Sequence, residues 1–460
     1  MAIAREVFEQ ASTHRPQFTA PLGLSEALVR DISGQKHEPA WMLAKRLVAF
    51  SRFQQTPLPH WGPSLAGLNL DAISYFVRPD ARESKTWEDV PVEIRDTFEK
   101  LGIPEAERLA LGGVGAQYDS DMIYHNLKAD LAAKGVIFEN MDVAVHQYPE
   151  LVREYFMTNC VPVHDHKFAM LHAAVWSGGT FIYVPKGVKV EIPLQAYFRM
   201  NTERGGQFEH TLIIADEGSD VHYIEGCSAP KFAAAALHAG CVEIFVKKGA
   251  RVRYSSIENW SKNTFNLNTK RAVVDEGGTI EWLNGNMGSG TTMLYPMSIL
   301  RGRGAKSDYL GIAFAGPGQH QDTGHKVAMI APDCSAHVLS KSLSGGGGKS
   351  TYRGLVRVTG GAAGARVKVQ CDALLLDGVS TSTTTPVMRI ERGDATVAHE
   401  ATVGRLGESE LFYLQSRGLT EQEAIRTLVG GFLEPVVREL PLEYAVELVK
   451  LIELEMESVA

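Results

Sequence analysis

A short pattern returns every 27 to 31 residues through the middle of the chain, and it restricts the fold more than any other feature. A small or polar residue sits at a turn, and a strand of alternating apolar residues follows. The turn positions are Gly187, Gly218, Gly249, Gly277, Gly304, Cys334, Gly364 and Asp394, of which the Gly304 and Cys334 units fit loosely. Repeats of this kind stack on one another because one unit cannot bury its apolar face alone. Since the units are rich in β-forming residues and lack helical periodicity, the sequence predicts a β-helix or stacked β-coils.

Stacking also brings together residues that occupy similar places in consecutive units. Cys371, His399 and Glu400 fall seven, five and six places after their turns, in adjacent units. We therefore expect a thiol, an imidazole and a carboxylate to lie near one another.

Composition excludes several classes of protein. The chain has 460 residues, enough for two or three domains, a net charge of −8 and a pI of about 6.0, without a long basic run. Nucleic acid and anionic membranes are therefore not expected partners. The first nine residues lack the apolar core of a signal peptide, and no apolar stretch is long enough to span a membrane, so we expect a cytoplasmic protein.

The cysteines argue against permanent metal or disulfide frameworks. Five cysteines in a long chain do not form a disulfide scaffold. The sequence has no CxxC pair, which argues against structural zinc and against a ferredoxin-type cluster.

The N-terminal region, residues 1–158, reads as a mixed and largely helical domain. Helices are predicted over Glu38–Arg52, Val90–Leu101 and Ser120–Lys134, and the strand pattern begins near Lys167.

The β-rich core is assigned to residues 159–405, and a C-terminal helical domain to residues 406–460. A capping box at Thr420 predicts a helix that ends at Gly430–Gly431. A second helix opens at Pro441 with an apolar stripe, which fits either packing on its own domain or docking of a partner.

A glycine-rich loop in the core does not match a phosphate-binding loop. Gly345–Gly348 precede Lys349–Ser350, but Leu343 stands where that loop needs a glycine, and Tyr352–Val358 reads as strand. The segment is interpreted as a glycine turn.

Cys371 is the most suggestive cysteine. It continues the alternation of Val367 and Val369, which is equally consistent with a buried, inert thiol. A thiolate with imidazole or carboxylate is also a plausible iron-binding set. Strict alternation puts His399, not Glu400, on the face of Cys371, so a bulge or the sheet edge would have to bring Glu400 in.

A second pair has matching places in consecutive units. Cys227 and Glu258 each lie nine residues after their turns. The surrounding Gly226–Pro230 reads as a turn, where a thiol would be accessible, although an incidental loop cysteine fits equally. The other cysteines, Cys160, Cys241 and Cys334, read as structural, and the remaining paired histidines read as solvated or hydrogen-bonded.

Several longer stretches carry a family resemblance. They are Trp176–Asn201 (WSGGTFIYVPKGVKVEIPLQAYFRMN), Gly226–Pro230 (GCSAP), Ala313–Gly324 (AFAGPGQHQDTG), Tyr352–Val356 (YRGLV), Gln370–Leu375 (QCDALL), His399–Val403 (HEATV), Gly102–Gln117 (GIPEAERLALGGVGAQ) and Glu410–Gly418 (ELFYLQSRG). They closely resemble SufB, the scaffold branch of the SufB/SufD family in the SUF iron–sulfur assembly machinery, over nearly the whole chain.

The resemblance implies a mainly β fold, with a right-handed β-helix core between an N-terminal mixed α/β, largely helical domain and a C-terminal helical domain. It implies a non-enzymatic scaffold that accepts persulfide sulfur and iron and passes on a nascent iron–sulfur cluster, with [4Fe-4S] as a candidate type. Implied partners are a SufC-type ABC ATPase at the C-terminal helices, a SufD paralogue or second copy, and a cysteine desulfurase with its sulfur carrier. FADH2 is associated with such complexes, although no dinucleotide fingerprint is visible here.

The resemblance also assigns residues. Cys371 and Glu400, with neighbouring His399, are implied in cluster assembly, and Cys227 is implied as the sulfur entry point. A polar path would include Arg199, Asn201, Trp260 and Lys270. Glu258 stands where the family usually has glutamine, so it would add a negative charge or a raised-pKa acid to that path.

Two other readings remain. A SufD-like structural partner would lack its own cluster and would be expected to lack the Cys371/Glu400 pair. A β-helix enzyme acting on polysaccharide would need several Asp, Arg or Lys residues on one outer sheet face, which the sequence does not show.

Overall fold

The computed structural model describes residues 11–100, 111–439 and 442–457. Its helices are α1 (Glu26–Gln35), α2 (Ala40–Gln55), α3 (Val92–Lys100), α4 (Ala129–Ala133), α5 (Met141–Gln147), α6 (Pro149–Tyr155), α7 (Lys167–Val175), α8 (Glu408–Ser416), α9 (Glu421–Val437) and α10 (Leu442–Glu457). Its strands are β1 (Pro16–Thr19), β2 (Val77–Pro79), β3 (Gly113–Tyr118), β4 (Asp121–Leu127), β5 (Ile137–Asn140), β6 (Thr180–Val184), β7 (Leu194–Arg199), β8 (Gly206–Gln207), β9 (His210–Ala215), β10 (Asp220–Ser228), β11 (Ala236–His238), β12 (Cys241–Val246), β13 (Arg251–Trp260), β14 (Thr264–Asn266), β15 (Thr269–Val274), β16 (Thr279–Gly288), β17 (Thr291–Leu294), β18 (Met297–Leu300), β19 (Lys306–Ala315), β20 (His320–Thr323), β21 (Lys326–Met329), β22 (Ser335–Ser344), β23 (Lys349–Val358), β24 (Arg366–Leu375), β25 (Thr381–Ile390) and β26 (Thr396–Arg405).

Two long sheets form a β-solenoid of about eight turns, which confirms the predicted mainly β fold with helical terminal regions. The ten-stranded sheet runs in the order β26-β24-β22-β19-β16-β13-β10-β7-β3-β4, parallel except for β4. The fourteen-stranded sheet begins β5-β6-β9-β12-β15-β18-β21-β23 and is parallel except for β5. Thus β3 and β5, from the N-terminal region, extend the two sheets of the solenoid.

The repeating turns explain the sequence period. The predicted turn glycines from Gly187 to Gly304, and Gly364, all have φ between 62° and 73°, a left-handed conformation that glycine adopts without steric cost. In the Cys334 unit, one of the two that fit the pattern loosely, the left-handed residue is Asp333 (φ 60°), one place before the predicted Cys334. With that shift, Ala336 and Val338 take the third and fifth places and face the core like their counterparts.

Alternate residues of each strand face opposite sides, so the solenoid has an inner and an outer apolar surface. The inner core holds Val221, Val252 and Ile280, which are neighbours across β10, β13 and β16. Helices α2 and α7 pack on the outer face of the fourteen-stranded sheet, where Phe50 and Leu171 share a buried cluster with neighbouring strand residues.

The C-terminal helices cover the outer face of the ten-stranded sheet. Leu433 of α9 and Leu448 of α10 are buried in one cluster with Ile257 and Leu283 of that sheet. The apolar stripe of the last helix therefore packs on its own chain, while Val449 on its flank is 40% exposed.

Several local predictions are confirmed and others are wrong. The capping box at Thr420 is present, but the helix continues through Gly430 and Gly431 to Val437. A helix over Ser120–Lys134 was expected, but Asp121–Leu127 forms strand β4, which pairs with β3, and only Ala129–Ala133 is helical. The strand pattern was expected from Lys167, yet Lys167–Val175 forms helix α7.

None of the described helices combines the length and the apolarity that crossing a membrane requires.

Candidate functional site

Ionisable side chains that should avoid an apolar core meet inside the first coils of the solenoid. We call this set the interior cluster; its members are Glu209, Glu225, Cys227, His238, Glu258 and Lys270. Parallel pairing of β10 with β13 puts Cys227 directly beside Glu258, as their equal places in the repeat predicted. The repeat therefore located this contact although the two residues are 31 positions apart.

Hydrogen bonds join the charged members of the interior cluster. Lys270 Nζ lies 2.6 Å from Glu258 Oε1 and also donates to Ser256 Oγ at 2.9 Å. His238 Nε2 lies 2.6 Å from Glu209 Oε1.

Glu225 is held by two hydroxyl groups. Tyr254 donates to it at 2.7 Å and Thr211 at 3.1 Å. The carboxylates Glu209 and Glu225 and the thiol of Cys227 all place one ligand atom within 4.8 Å of the others. This trio could hold a metal ion, since oxygen and thiolate ligands suit iron.

Burial and charge set the protonation of the interior cluster. Burial, then Glu225, Glu209 and Glu258, raise the pKa of the Cys227 thiol well above its ordinary value. Burial also raises the pKa of Glu225. Burial alone would raise the pKa of Glu258, but Lys270, His238 and Asn266 together hold that pKa below its ordinary value.

Cys227 is not accessible, contrary to the turn that its surroundings suggested. It lies inside strand β10 and is 1% exposed. Trp260 lies on the same inner surface, with its ring 4.1 Å from that of His238. Any reactant could therefore reach this thiol only if the chain opened locally or a partner altered this region.

Arg199 and Asn201 lie away from the interior cluster. Arg199 is paired in register with Ser228, so it faces the side opposite Cys227, and its Nη1 donates to Ser228 Oγ at 3.1 Å. Asn201 receives a hydrogen bond from Ser12 and donates its backbone N–H to Asp119 Oδ1 at 2.7 Å. The structure thus does not bring these two predicted path residues to the thiol.

Cys371 faces the inside of the solenoid at its other end. Its Sγ lies 3.8 Å from Nε2 of His399, which belongs to the last strand, β26. Tyr352 stacks against His399 with ring centroids 6.5 Å apart. Burial raises the pKa of Cys371 to about 12, although a hydrogen bond from Tyr352 opposes that shift. A metal must therefore displace the thiol proton when it binds.

Glu400 does not join Cys371 within this chain. It pairs in register with Gln370, so both face outward, and Glu400 is exposed. The alternation therefore holds through β26 without a bulge. Among the described residues β26 pairs only with β24, so Glu400 and His399 lie on the edge strand of the ten-stranded sheet.

A row of small and polar side chains connects the two ends, and individual motifs did not reveal it. In register across the ten-stranded sheet, its members are Glu225, Ser256, Asn284, Gly311, Ser340 and Cys371. We call this the polar row. Each member lies seven places after its left-handed turn residue, so the repeat itself carries the signal. The row spans five strand spacings, or about 24 Å.

His166, His320 and Cys334 have structural surroundings. His166 caps helix α7 by accepting from the N–H of Ala169, and His320 bonds to Thr351 at 3.0 Å. Cys334 donates to the carbonyl of Gly302 at 3.4 Å, and all five cysteines are buried and free.

Comparison with known proteins matches this architecture to one family. Residues 198–432 match the model described as "SUF system FeS cluster assembly, SufBD core domain", and residues 31–196 match "SufBD protein N-terminal region". The chain belongs to the SufBD family. It is 51% identical over 441 residues to the "Iron-sulfur cluster assembly protein SufB" of Bacillus subtilis (strain 168), covering 96% of this chain and 95% of that protein. It is 52% identical, with the same coverage, to an iron–sulfur cluster assembly SufBD family protein of Staphylococcus haemolyticus (strain JCSC1435).

The SufBD assignment confirms the resemblance seen in the sequence and the role as an iron–sulfur cluster assembly component. The two family regions meet within the first solenoid strands, where β7 ends at Arg199.

Proposed function

We propose that this SufBD protein is a scaffold on which a nascent iron–sulfur cluster is built from sulfur that enters at Cys227 and is held at Cys371. The observation that supports the proposal best is the polar row, which runs in register from Glu225 of the interior cluster to Cys371 along the inner face of the ten-stranded sheet. Polar side chains facing a buried interior are costly unless they serve hydrogen bonding or function.

The spacing of the thiols determines the form in which sulfur moves. Direct exchange of a persulfide needs a thiolate in contact with it. Cys227 and Cys371 are separated by about 24 Å, so we propose that sulfur leaves Cys227 as a sulfide species. Release from a persulfide consumes two electrons and two protons and returns the thiol. We propose that a dithiol reductant of a partner protein supplies these two electrons and is itself oxidised to a disulfide.

The cations of the interior cluster suit such an anion. Lys270 lies among three carboxylates. Burial alone would lower the pKa of His238, but Glu209 raises it, which favours the positive form of the imidazole. We propose that these two cations offset the negative charge of the persulfide at Cys227 and of the departing sulfide, with Trp260 closing the wall beside His238.

FADH2 does not fit the described residues of this chain. The glycine-rich segment Gly345–Gly348 joins strands β22 and β23, whereas dinucleotide loops open a helix. We derive no step through a flavin and assign its association to the assembled complex.

The cluster site needs ligands beyond one chain. Cys371 and His399 supply two donors, and clusters are commonly held by four. The edge strand β26 and the exposed Val387, Met388 and Ile390 of β25 end the solenoid. We propose that a SufD paralogue or second copy docks there, bringing its ligands to His399 and Glu400. A site with few thiolates should release its cluster more readily than four cysteines.

We further propose that a SufC-type ATPase docks on the C-terminal helices. Phe412 and Tyr413 of α8 are 73% and 56% exposed, whereas the apolar stripe of α10 is buried. Exposed aromatic residues of this size are typical of protein interfaces. The desulfurase and its sulfur carrier remain the proposed source of sulfur.

The decisive test is anaerobic reconstitution with iron and sulfide, followed by absorbance and Mössbauer spectra. We expect Cys371→Ala to abolish cluster formation while circular dichroism shows an intact fold, and the matched control Cys334→Ala to keep it. A wild-type cluster yield in Cys371→Ala would contradict the proposed site. No cluster on the unmodified protein, alone or with its paralogue, would favour a SufD-like partner subunit.

A further inference from the structure

Two histidines and a cysteine meet on the outer face of the fourteen-stranded sheet, away from the proposed path. His210 begins β9 and Cys241 begins β12, and parallel pairing makes them direct neighbours. His172 of helix α7 packs onto them from the N-terminal region. All three are at most 1% exposed. This set, which we call the outer cluster, lies between the helical region and the solenoid.

The spacing of the three side chains suits a single metal ion. One ligand atom of each lies within 4.8 Å of the other two, and His172 Nε2 is 2.9 Å from His210 Nδ1. Tetrahedral zinc bonds of about 2.0 Å to nitrogen and 2.3 Å to sulfur place its ligand atoms about 3.3 to 3.6 Å apart. Small side-chain adjustments would therefore bring all three donors to one ion.

The hydrogen bonds of the histidines leave lone pairs facing each other. His172 Nδ1 lies 2.9 Å from the carbonyl oxygen of Ala239, which only accepts, so Nδ1 carries the proton and Nε2 is bare. His210 Nε2 lies 3.2 Å from Glu243 Oε2. If the ring proton of His210 is on Nε2 and points toward the carboxylate, Nδ1 of His210 carries no proton. Nδ1 then faces the unprotonated Nε2 of His172.

The other tautomer of His210 is no better placed. A proton on Nδ1 would satisfy His172 but leave a bare Nε2 beside Glu243, and that nitrogen is fully buried without a hydrogen-bond partner. Both oxygens of Glu243 already accept backbone N–H groups, from Met157 and Val161, while burial raises the pKa of this carboxyl group to about 7. A cation between the two imidazoles removes the conflict.

We propose that His172 Nε2, His210 Nδ1 and Cys241 Sγ bind one transition metal ion, with Zn²⁺ as the best match to this nitrogen and sulfur donor set. The outer contacts follow the usual pattern of metal-bound histidines, whose second nitrogen bonds to a carbonyl or carboxylate. Ala239 accepts the outer hydrogen bond of His172, and Glu243 Oε2 lies 3.2 Å from the outer nitrogen of His210.

The ion would connect the helical region to the solenoid and so act in stability, independently of cluster assembly. Sequence motifs missed it because its ligands come from three separate segments, without a CxxC pair.

The test uses the full-length protein with Cys227→Ser and Cys371→Ser, so that the proposed path thiols do not bind the probe. Co²⁺ is added anaerobically, and the thiolate-to-cobalt charge-transfer absorbance is titrated. We expect one Co²⁺ per chain, displacement by Zn²⁺ and a higher Tm with either metal. Cys241→Ser should remove the charge-transfer band, and His172→Gln should weaken binding at least tenfold, while Cys334→Ser leaves both unchanged.

A measurement on the unmodified protein tests the proposal even if the variants fail to fold. Zinc-edge X-ray absorption of the zinc-loaded protein should show about one sulfur and two imidazole nitrogens as ligands. The proposal is overturned if no metal binds, because a hydrogen-bonded chain with protonated Glu243 then explains the geometry. It is also overturned if Cys241→Ser keeps the charge-transfer band or if the zinc shell contains no sulfur.

Discussion

Replacing Glu258 with glutamine should make Cys227 a faster nucleophile. The two residues are direct neighbours on adjacent parallel strands, which are about 4.8 Å apart. Two unit charges about 5 Å apart at an effective dielectric constant of 20 interact with about 3 kcal/mol, or about two pKa units. Lys270 keeps its charge in both proteins and does not cancel the difference. We therefore expect the pKa of Cys227 to fall by about two units in Glu258→Gln.

The rate should change by less than the thiolate fraction. A pKa lower by about two units raises the thiolate fraction at pH 7 about 100-fold, because the pKa lies well above 7 in both proteins. A thiolate of lower pKa is also intrinsically less reactive. With a Brønsted coefficient of about 0.4 to 0.5, this lowers the rate constant of the thiolate about tenfold. The net expectation is an alkylation rate at Cys227 about tenfold higher.

The assay is alkylation by iodoacetamide under native conditions, with the Cys227 peptide quantified by mass spectrometry at several pH values. Access to the buried thiol limits both proteins, so the ratio of rates reports the electrostatic effect only if their folds open equally. Hydrogen exchange of β10 checks this, since removing one partner of a buried ion pair costs roughly 3 to 5 kcal/mol. The matched control is Glu281→Gln, which removes a carboxylate that faces the outer arginines Arg251 and Arg253.

Equal rates for Glu258→Gln and the unmodified protein would refute the reasoning. The carboxylate would then be neutral in the folded chain or shielded by Lys270 more completely than the geometry indicates. A comparable acceleration in Glu281→Gln would show that general loosening, rather than the local charge, controls the thiol.

Three other predictions concern the row, the helices and stability. Ser340→Val should slow delivery of persulfide-derived sulfur to Cys371 at least tenfold without lowering the cluster yield from free iron and sulfide, measured by isotope-labelled sulfur. Phe412→Ser should weaken ATPase binding at least tenfold by calorimetry, whereas Val449→Ser should not. Burial raises the pKa of Asp119 from 3.8 to about 6, so stability is greatest below pH 3.8 for this group and falls as pH rises to 6. That loss is about 3 kcal/mol, and it should disappear from urea unfolding curves of Asp119→Asn.

The repeat predicted the fold because seven of the eight predicted turns have a left-handed residue at the predicted position or directly before it, Asp394 being the exception. Glycine adopts that conformation without cost, so the spacing of Gly218, Gly249 and Gly277 marks the coils directly. The same period predicted the contact between Cys227 and Glu258, because parallel strands in register align equal places.

Other features depend on tertiary packing, which short motifs do not record. Gly226 and Pro230 suggest a turn at Cys227, but neighbouring strands on both sides extend β10 through Ser228. Gly430 and Gly431 are typical helix ends, yet Val429 and Leu433 are buried on the sheet and hold the helix together across them. The family resemblance assigned Arg199 to the polar path, but its place in the alternation puts it on the face opposite Cys227.

The unequal length of the repeats has a consequence for how such chains can vary. Strands β13, β16, β19, β22 and β24 all have 10 residues, so units of 27 to 31 residues differ in length outside the ten-stranded sheet. The separation of Cys227 and Cys371 therefore depends on a whole number of coils and not on the number of residues between them. Insertions in the connections would leave it unchanged, whereas gain or loss of one coil would alter it by about 4.8 Å. The number of strands between the two thiols thus sets their distance in steps of one strand spacing.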